Sequence, residues 1–191
     1  GHGEDSWPSN CHKESHHIPL IISPPGGSAG DKTQVIDRFA GTTDIYATIL
    51  DYADAGDPAP DSARARSLRP LLEGEAVEWD DAIFMEQEET RAVRTDKWLL
   101  MKRFQTDRWP FPDALFDLEA DPDERNDLAG DPAYADVIAE LSARIDRFFE
   151  EHSNAEWDLW RGGRVKSNST RPFLWKQAWG EDWAPVTAIR T

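Results

Sequence analysis

Cysteine is nearly absent: Cys11 stands alone in 191 residues. No internal disulfide can form, so the fold must rest on a packed core. Long apolar runs are also missing. Stretches such as Leu20 to Ile22 fall far short of the roughly 20 residues that cross a bilayer, and no leader pattern opens the chain, so no membrane partner is expected. Basic residues are scarce, with 21 Lys and Arg against 37 Asp and Glu and a net charge of −16. Such a field repels polyanions, and no basic stripe offsets it, which excludes nucleic acid as a partner. The imbalance is uneven, because from Glu156 onward cations outnumber acids. Acidity of this kind serves solubility or a saline habitat. The first residue is Gly1 rather than Met, so the natural start is expected upstream, and neither the leader nor the cysteine usage fixes a compartment.

What is present is ample core material. Hydrophobic residues make up 39% of the chain, enough for a folded protein of one large or two small domains. The run Ile18 to Ser23, closed by Pro24-Pro25-Gly26-Gly27, reads as a buried strand ending in a loop. Thr43-Asp44 precede a helical stretch in which Ile45, Ile49 and Tyr52 recur at helical spacing, with Gly56 as its stop signal. Pro58 to Ala65 reads as loop, and Ser67 to Leu72 as a short helix. Ala82 to Gln87, Thr90 to Thr95 and Lys97 to Arg103 then read as strands, and their two- or three-residue spacing implies hairpins in an antiparallel sheet. A fourth strand, Ala114 to Leu118, leads into a turn-rich stretch. Asp131-Pro132 supply a cap and a first-turn proline for a long helix whose apolar face is Tyr134, Val137, Ile138, Leu141, Ile145, Phe148 and Phe149, seated on one face of the sheet.

From Glu156 to Thr191 periodicity fades and tryptophan accumulates: Trp157, Trp160, Trp175, Trp179 and Trp183. Each buried indole removes a large apolar area from water, so this tail is expected to wrap its own domain or a neighbouring subunit, which would make a homo-oligomer. Aromatics interleaved with Arg also suit sugar stacking, but packing is the better reading. Asn168-Ser169-Thr170 fits a glycosylation acceptor and reads as a polar loop.

Several landmarks occur together and in order. Gly1-His2-Gly3 is similar to the end of a Gly-x-His-Gly loop, and His12 to Ile21 partly matches a Tyr-Glu-Glu-Ser-x-Arg-Val-Pro-Leu-Ile segment. Thr43 to Ala53 resembles Val-Asp-Ile-x-Pro-Thr-Leu-Leu-Asp-Leu-Ala, and Arg66 to Gly74 resembles Arg-Ser-Leu-x-Pro-Leu-Leu-x-Gly. Arg91 to Leu100 resembles part of a C-terminal sheet, and Leu115 to Ala129 resembles Leu-Tyr-Asp-Leu-x-x-Asp-Pro-x-Glu-x-x-Asn-Leu. Over about Gly1 to His152 the chain thus resembles the C-terminal portion of formylglycine-dependent sulfatases, arylsulfatase-like members of the alkaline phosphatase superfamily. The resemblance implies an α/β fold: residues 1–80 as the end of an alkaline-phosphatase-like mixed-sheet domain, 81–154 as a small antiparallel sheet packed on a long helix, and 155–191 as a Trp-rich extension. The strand at Ile18 would be one of the last in a sheet whose other strands lie in a missing N-terminal half.

The resemblance implies a parent enzyme that hydrolyses sulfate esters with a formylglycine nucleophile and a divalent cation, usually calcium. Both would be encoded or bound upstream, so this segment should be inactive alone. Cys11 precedes His12-Lys13-Glu14-Ser15 and lacks the Pro/Ala and Arg of the modification motif. No metal ligand is expected: Asp121-Pro122-Asp123-Glu124 lacks a turning glycine and reads as a turn, and His16 and His17, if on a strand, would point to opposite faces. His2 matches the family histidine that bonds the sulfuryl or leaving-group oxygen. The family's following lysine has no counterpart in Glu4 to Pro8; Lys13 is its candidate substitute, with His12 and Trp7 as further substrate-binding candidates. Alternatives are a phosphonate monoester or phosphodiester hydrolase of the same superfamily, and a non-catalytic oligomerisation or binding module.

Overall fold

A computed structural model describes residues 9–27, 34–56, 64–107, 111–165 and 171–186. The helices are α1 (Lys13–His16), α2 (Thr42–Tyr52), α3 (Arg69–Leu72), α4 (Ala135–His152) and α5 (Pro172–Trp179), and the strands are β1 (Ala82–Gln87), β2 (Thr90–Thr95), β3 (Trp98–Arg103) and β4 (Ala114–Asp117). The chain forms two compact units, Ile18–Ile83 and a larger one that joins Gly1–His17 to Phe84–Thr191.

In the smaller unit, α2 begins at Thr42 because the Asp44 carboxylate turns back to accept the Gly41 N–H at 2.8 Å, which satisfies a donor that the first helical turn leaves open. The other carboxylate oxygen accepts the Arg66 N–H at 2.9 Å. One turn on, the Thr48 hydroxyl donates to the Asp44 carbonyl and accepts the Leu68 N–H at 2.8 Å. Asp51 takes the Ser67 hydroxyl at 2.5 Å and the Arg69 guanidinium at 3.2 Å; the Ser67 bond first, then Arg69, hold its carboxyl below the usual range. The polar residues of α2 therefore bind the segment Arg66–Arg69 that precedes and opens α3. Its apolar residues do not close a core, since Ile45 and Ile49 are exposed. They flank a groove of about 320 Å³ lined also by Ile22, Pro24, Pro25 and Tyr52. The buried strand expected at Ile18 to Ser23 is not formed, and Ile18, Leu20 and Ile21 are exposed. A strand needs a neighbour for its N–H and C=O groups, and no described residue supplies that ladder. Residues 57–63, most of the expected loop, lie outside the described residues.

The larger unit is built on a four-stranded sheet in the order β1-β2-β3-β4. Val93 sits opposite Leu100, and Leu100 opposite Leu115, in antiparallel register. These three share a face and are fully buried. Helix α4 packs on β2 and β3, burying Leu141, Ile145 and Phe149; the bonds from Lys102 to Asp146 at 2.6 Å and the stack of Phe84 on Phe148 fix its angle. On the opposite face, Ala92, Leu99, Met101, Ala114 and Phe116 form a second layer closed by Cys11. Both sheet faces are thus covered, which is why β1, β3 and β4 open on apolar runs. The fold is α/β, with a small antiparallel sheet and a long helix as its recognisable part.

The Trp-rich segment adds a third cluster. Leu159, Leu174, Trp175 and Trp183 are buried together, with Phe104, Trp160 and Val165 packed against them. Trp157 and Trp179 stay partly exposed. The sequon at Asn168 lies outside the described residues.

Candidate functional site

The first described residues, Ser9 to Lys13, lie on the sheet face opposite α4 and are held there by two buried carboxylates. Glu89, in the turn between β1 and β2, has a fully buried side chain. Its Oε1 accepts the Ser9 N–H at 2.7 Å, and the Arg171 guanidinium donates to both oxygens at 2.8 and 2.6 Å. The neighbouring Thr90 hydroxyl donates to the Ser9 carbonyl at 2.6 Å. The second carboxylate is Glu124, which follows β4 with φ +55°, a conformation that a non-glycine residue adopts only when its contacts over-determine it. Those contacts are the His12 ring Nδ1 at 2.9 Å, the Lys13 N–H at 3.1 Å and Arg94 Nη1 at 2.6 Å. Burial would raise this carboxyl, but the hydrogen bonds from His12, Arg94 and the Lys13 amide outweigh it and bring the group down to about 2. An ionised carboxylate only accepts, so His12 Nδ1 carries the proton of that bond.

Between these two anchors Cys11 is 1% exposed. Its amide points at the Met101 sulfur at 3.4 Å, and burial, partly offset by Arg103, pushes its thiol up to about 12. A thiol so placed is a small apolar core group rather than a nucleophile. Residues Lys13–His16 form one helical turn, not a strand, so the strand-face argument for His16 and His17 does not apply. The four residues carry no period long enough to have revealed it.

Of the sequence-derived site residues, His2 and Trp7 lie outside the described residues. His12 is buried against Glu124 and packs edge-on to Phe116 at 5.2 Å. The Lys13 ammonium meets the Pro122 carbonyl at 2.5 Å and Asp123 at 2.9 Å. Nothing in the residue pattern singled out Glu89, Arg94 or Arg171, because each works through a partner 30 or more positions away. Glu124 stands in the Asp-Pro-x-Glu stretch, but only the fold shows what it holds. The turn around it is closed by carboxylates: Asp117 accepts the Glu119 and Ala120 amides, and Asp121 accepts those of Arg125 and Asn126. With those oxygens on backbone amides, the stretch forms a turn.

The resemblance implies a divalent cation and a formylglycine. Among the described residues, no three His, Cys, Asp or Glu side chains converge on a point that could hold a metal ion, and buried Cys11 does not stand in a formylglycine motif. These residues do not fit either group.

Residues 9–151 match the model of the N-sulphoglucosamine sulphohydrolase C-terminal family. The chain belongs to that family. The match starts at Ser9, the residue gripped by Glu89, and ends in the last turn of α4, so the sulphohydrolase C-terminal family accounts for the sheet, α4 and the smaller unit but not for the Trp-rich segment. Among curated relatives, the multifunctional alkaline phosphatase superfamily protein PehA of Trinickia caryophylli is 30% identical over 69% of this chain and 28% of its own length. Arylsulfatase K of Gallus gallus is 27% identical over 94% of this chain and 33% of its own length. The chain thus spans about a third of the length of these relatives. Among solved structures, the phosphonate monoester hydrolase of Agrobacterium radiobacter superposes with a TM-score of 0.52 at 23% identity, over 62% of this chain and 26% of that one, a likeness of fold.

Proposed function

We propose that this chain is the C-terminal portion of a sulfuric-ester hydrolase, and that it closes rather than builds the catalytic centre. The observation that carries the reading is the sulphohydrolase family match over residues 9–151. The exposed Ile18, Leu20, Ile21, Ile45 and Ile49 support it, because an apolar surface of this kind belongs in an interface. In the parent protein a formylglycine nucleophile and a divalent cation would supply attack at sulfur and charge neutralisation, held by residues outside those described.

What this chain would contribute is His2. An imidazole near neutral pKa can hydrogen-bond the sulfuryl oxygens or protonate the departing alkoxide. Lys13, Trp7 and His12 would border the ester: Lys13 keeps a partly accessible ammonium that can exchange Asp123 for an anionic group, while buried His12 would act by fixing the backbone it sits on. The test uses the full-length enzyme with an aryl sulfate, a phosphonate monoester and a phosphodiester as substrates. The sulfate ester should be the best substrate, and His2→Ala should reduce its turnover by about two orders of magnitude. Undiminished turnover removes His2 from the mechanism, and preference for a phosphorus ester replaces the sulfatase reading with its phosphoryl-transfer relative.

A further inference from the structure

The Trp-rich segment lies beyond the family match, yet it reaches back to the first described residue. Arg171 stands immediately before α5, whose Leu174 and Trp175 are fully buried, so its backbone is anchored in the third cluster. Its guanidinium contacts three groups: both Glu89 oxygens, the Ser9 hydroxyl at 3.1 Å, and Glu88 Oε2 at 3.5 Å. The Glu89 backbone is fixed as well, its carbonyl accepting the Phe104 N–H at 2.8 Å, and Phe104 packs on Trp175 with ring centroids 4.9 Å apart. Ser9 is therefore held at its amide by Glu89, at its carbonyl by Thr90 and at its hydroxyl by Arg171.

We infer that Arg171 is a positioning residue: through Glu89 it couples the Trp-rich segment to Ser9, which stands seven positions along the chain from the proposed catalytic His2. Leaving a buried carboxylate without a facing cation is costly. Glu89 has no exposure to water, so it keeps the geometry in which it accepts from both Ser9 and Arg171 only while a cation faces it. Remove the cation and the carboxylate must turn toward water, which releases the Ser9 amide. A reacting group displaced by about 1 Å loses about a hundredfold in rate, so the registration of Ser9, seven residues from His2, is of catalytic consequence. The inference rests on the proposed role of His2 for its catalytic part only.

The experiment has two readouts on the full-length enzyme. In Arg171→Ala, hydrogen exchange at the Ser9 amide should accelerate about tenfold or more, as expected for loss of a charge-assisted hydrogen bond, and kcat for an aryl sulfate should fall about tenfold or more with KM nearly unchanged. Arg171→Lys, which retains the cation, should recover most of both. Ile145→Ala, which destabilises α4 without touching Arg171, Glu89 or the third cluster, controls for destabilisation: at a temperature where all variants are folded by circular dichroism, its kcat should match the parent. Unaltered Ser9 exchange in Arg171→Ala would overturn the tether, and accelerated exchange with unaltered kcat would overturn its catalytic part. An equal kcat loss in Ile145→Ala would also overturn that part. If the unaltered enzyme cleaves no sulfate ester, the function proposed above fails while the exchange readout still decides the tether.

Discussion

Glu124 shows how one side chain can carry a local fold. Its carboxyl stands at about 2 rather than 4.5, and at about 1.36 kcal/mol per tenfold in proton affinity that depression corresponds to stabilisation on the order of 3 kcal/mol. Because the folded state holds the proton less tightly than the unfolded chain, this stabilisation is present in full above the ordinary carboxylate range and is lost as pH falls toward 2. Urea denaturation should thus show the parent weakening between about pH 5 and pH 2. Glu124→Gln should be weaker at pH 7 by a similar amount, and its acid dependence should be shallower. Equal acid slopes in the two proteins would show that the group is not the one titrating. The resemblance marked this residue as part of a turn signature, but the pairing of Glu124 with His12 and Arg94 spans positions far apart in the chain, and no local pattern encodes it.

At the scale of elements, legibility followed periodicity. β1 and β2 fall where their spacing and the turn between them place them, Ala82–Gln87 and Thr90–Thr95, and β3 begins one residue later than expected, at Trp98. The long helix is also where its apolar face predicts, although the first turn after Asp131 is a 3-10 turn and α4 proper begins at Ala135. The Asp131 side chain accepts the Ala133 N–H at 2.9 Å, as a cap should. Within α4, Ile145 is fully buried against the sheet, so Ile145→Ala should cost roughly 2–5 kcal/mol in a denaturant melt. Glu140→Ala, on the exposed face, should stay within about 0.5 kcal/mol. Comparable losses at the two sites would mean that α4 is not seated by this face. The strand at Ile18 failed for the complementary reason: its β-branched composition is genuine, but a strand is a property of a pair.

At the scale of the molecule, the Trp-rich segment belongs to the larger unit, with Trp175 and Trp183 buried and Trp160 packed against them. Arg91 binds it to the sheet. The guanidinium lies over the Phe149 ring at 4.1 Å and the Trp160 ring at 4.8 Å while bonding Glu86 at 2.9 Å and the buried Asp158 at 2.6 Å. Gly163 permits the close crossing beside it, since a Cβ there would come within 2.6 Å of the Ala155 carbonyl. Deleting Glu156 to Thr191 removes four buried apolar side chains, roughly 6–12 kcal/mol of burial, and leaves Arg91 without Asp158 and Glu89 without Arg171. That burial is comparable to the whole stability of a domain, about 5–15 kcal/mol. The truncated chain should lose its cooperative thermal transition rather than change from oligomer to monomer. A well-folded truncated protein of smaller assembled mass in native mass measurement would instead establish the segment as an oligomerisation surface.

By itself the sequence determined the antiparallel sheet, the long helix with its inward face, the turn after β4, and the family to which their order belongs. All of these are written in residues close together along the chain, where alternation, caps and motif spacing act. Only the tertiary structure decided that the α2 carboxylates bind the Arg66–Arg69 segment, that Cys11 is an inert core thiol, and that Glu89 and Glu124 pin Ser9 to Lys13 with help from Arg94 and Arg171. Buried charges find their counter-ions through space, so a carboxylate's partner can lie 80 positions away, and nothing about either residue alone reveals the pairing.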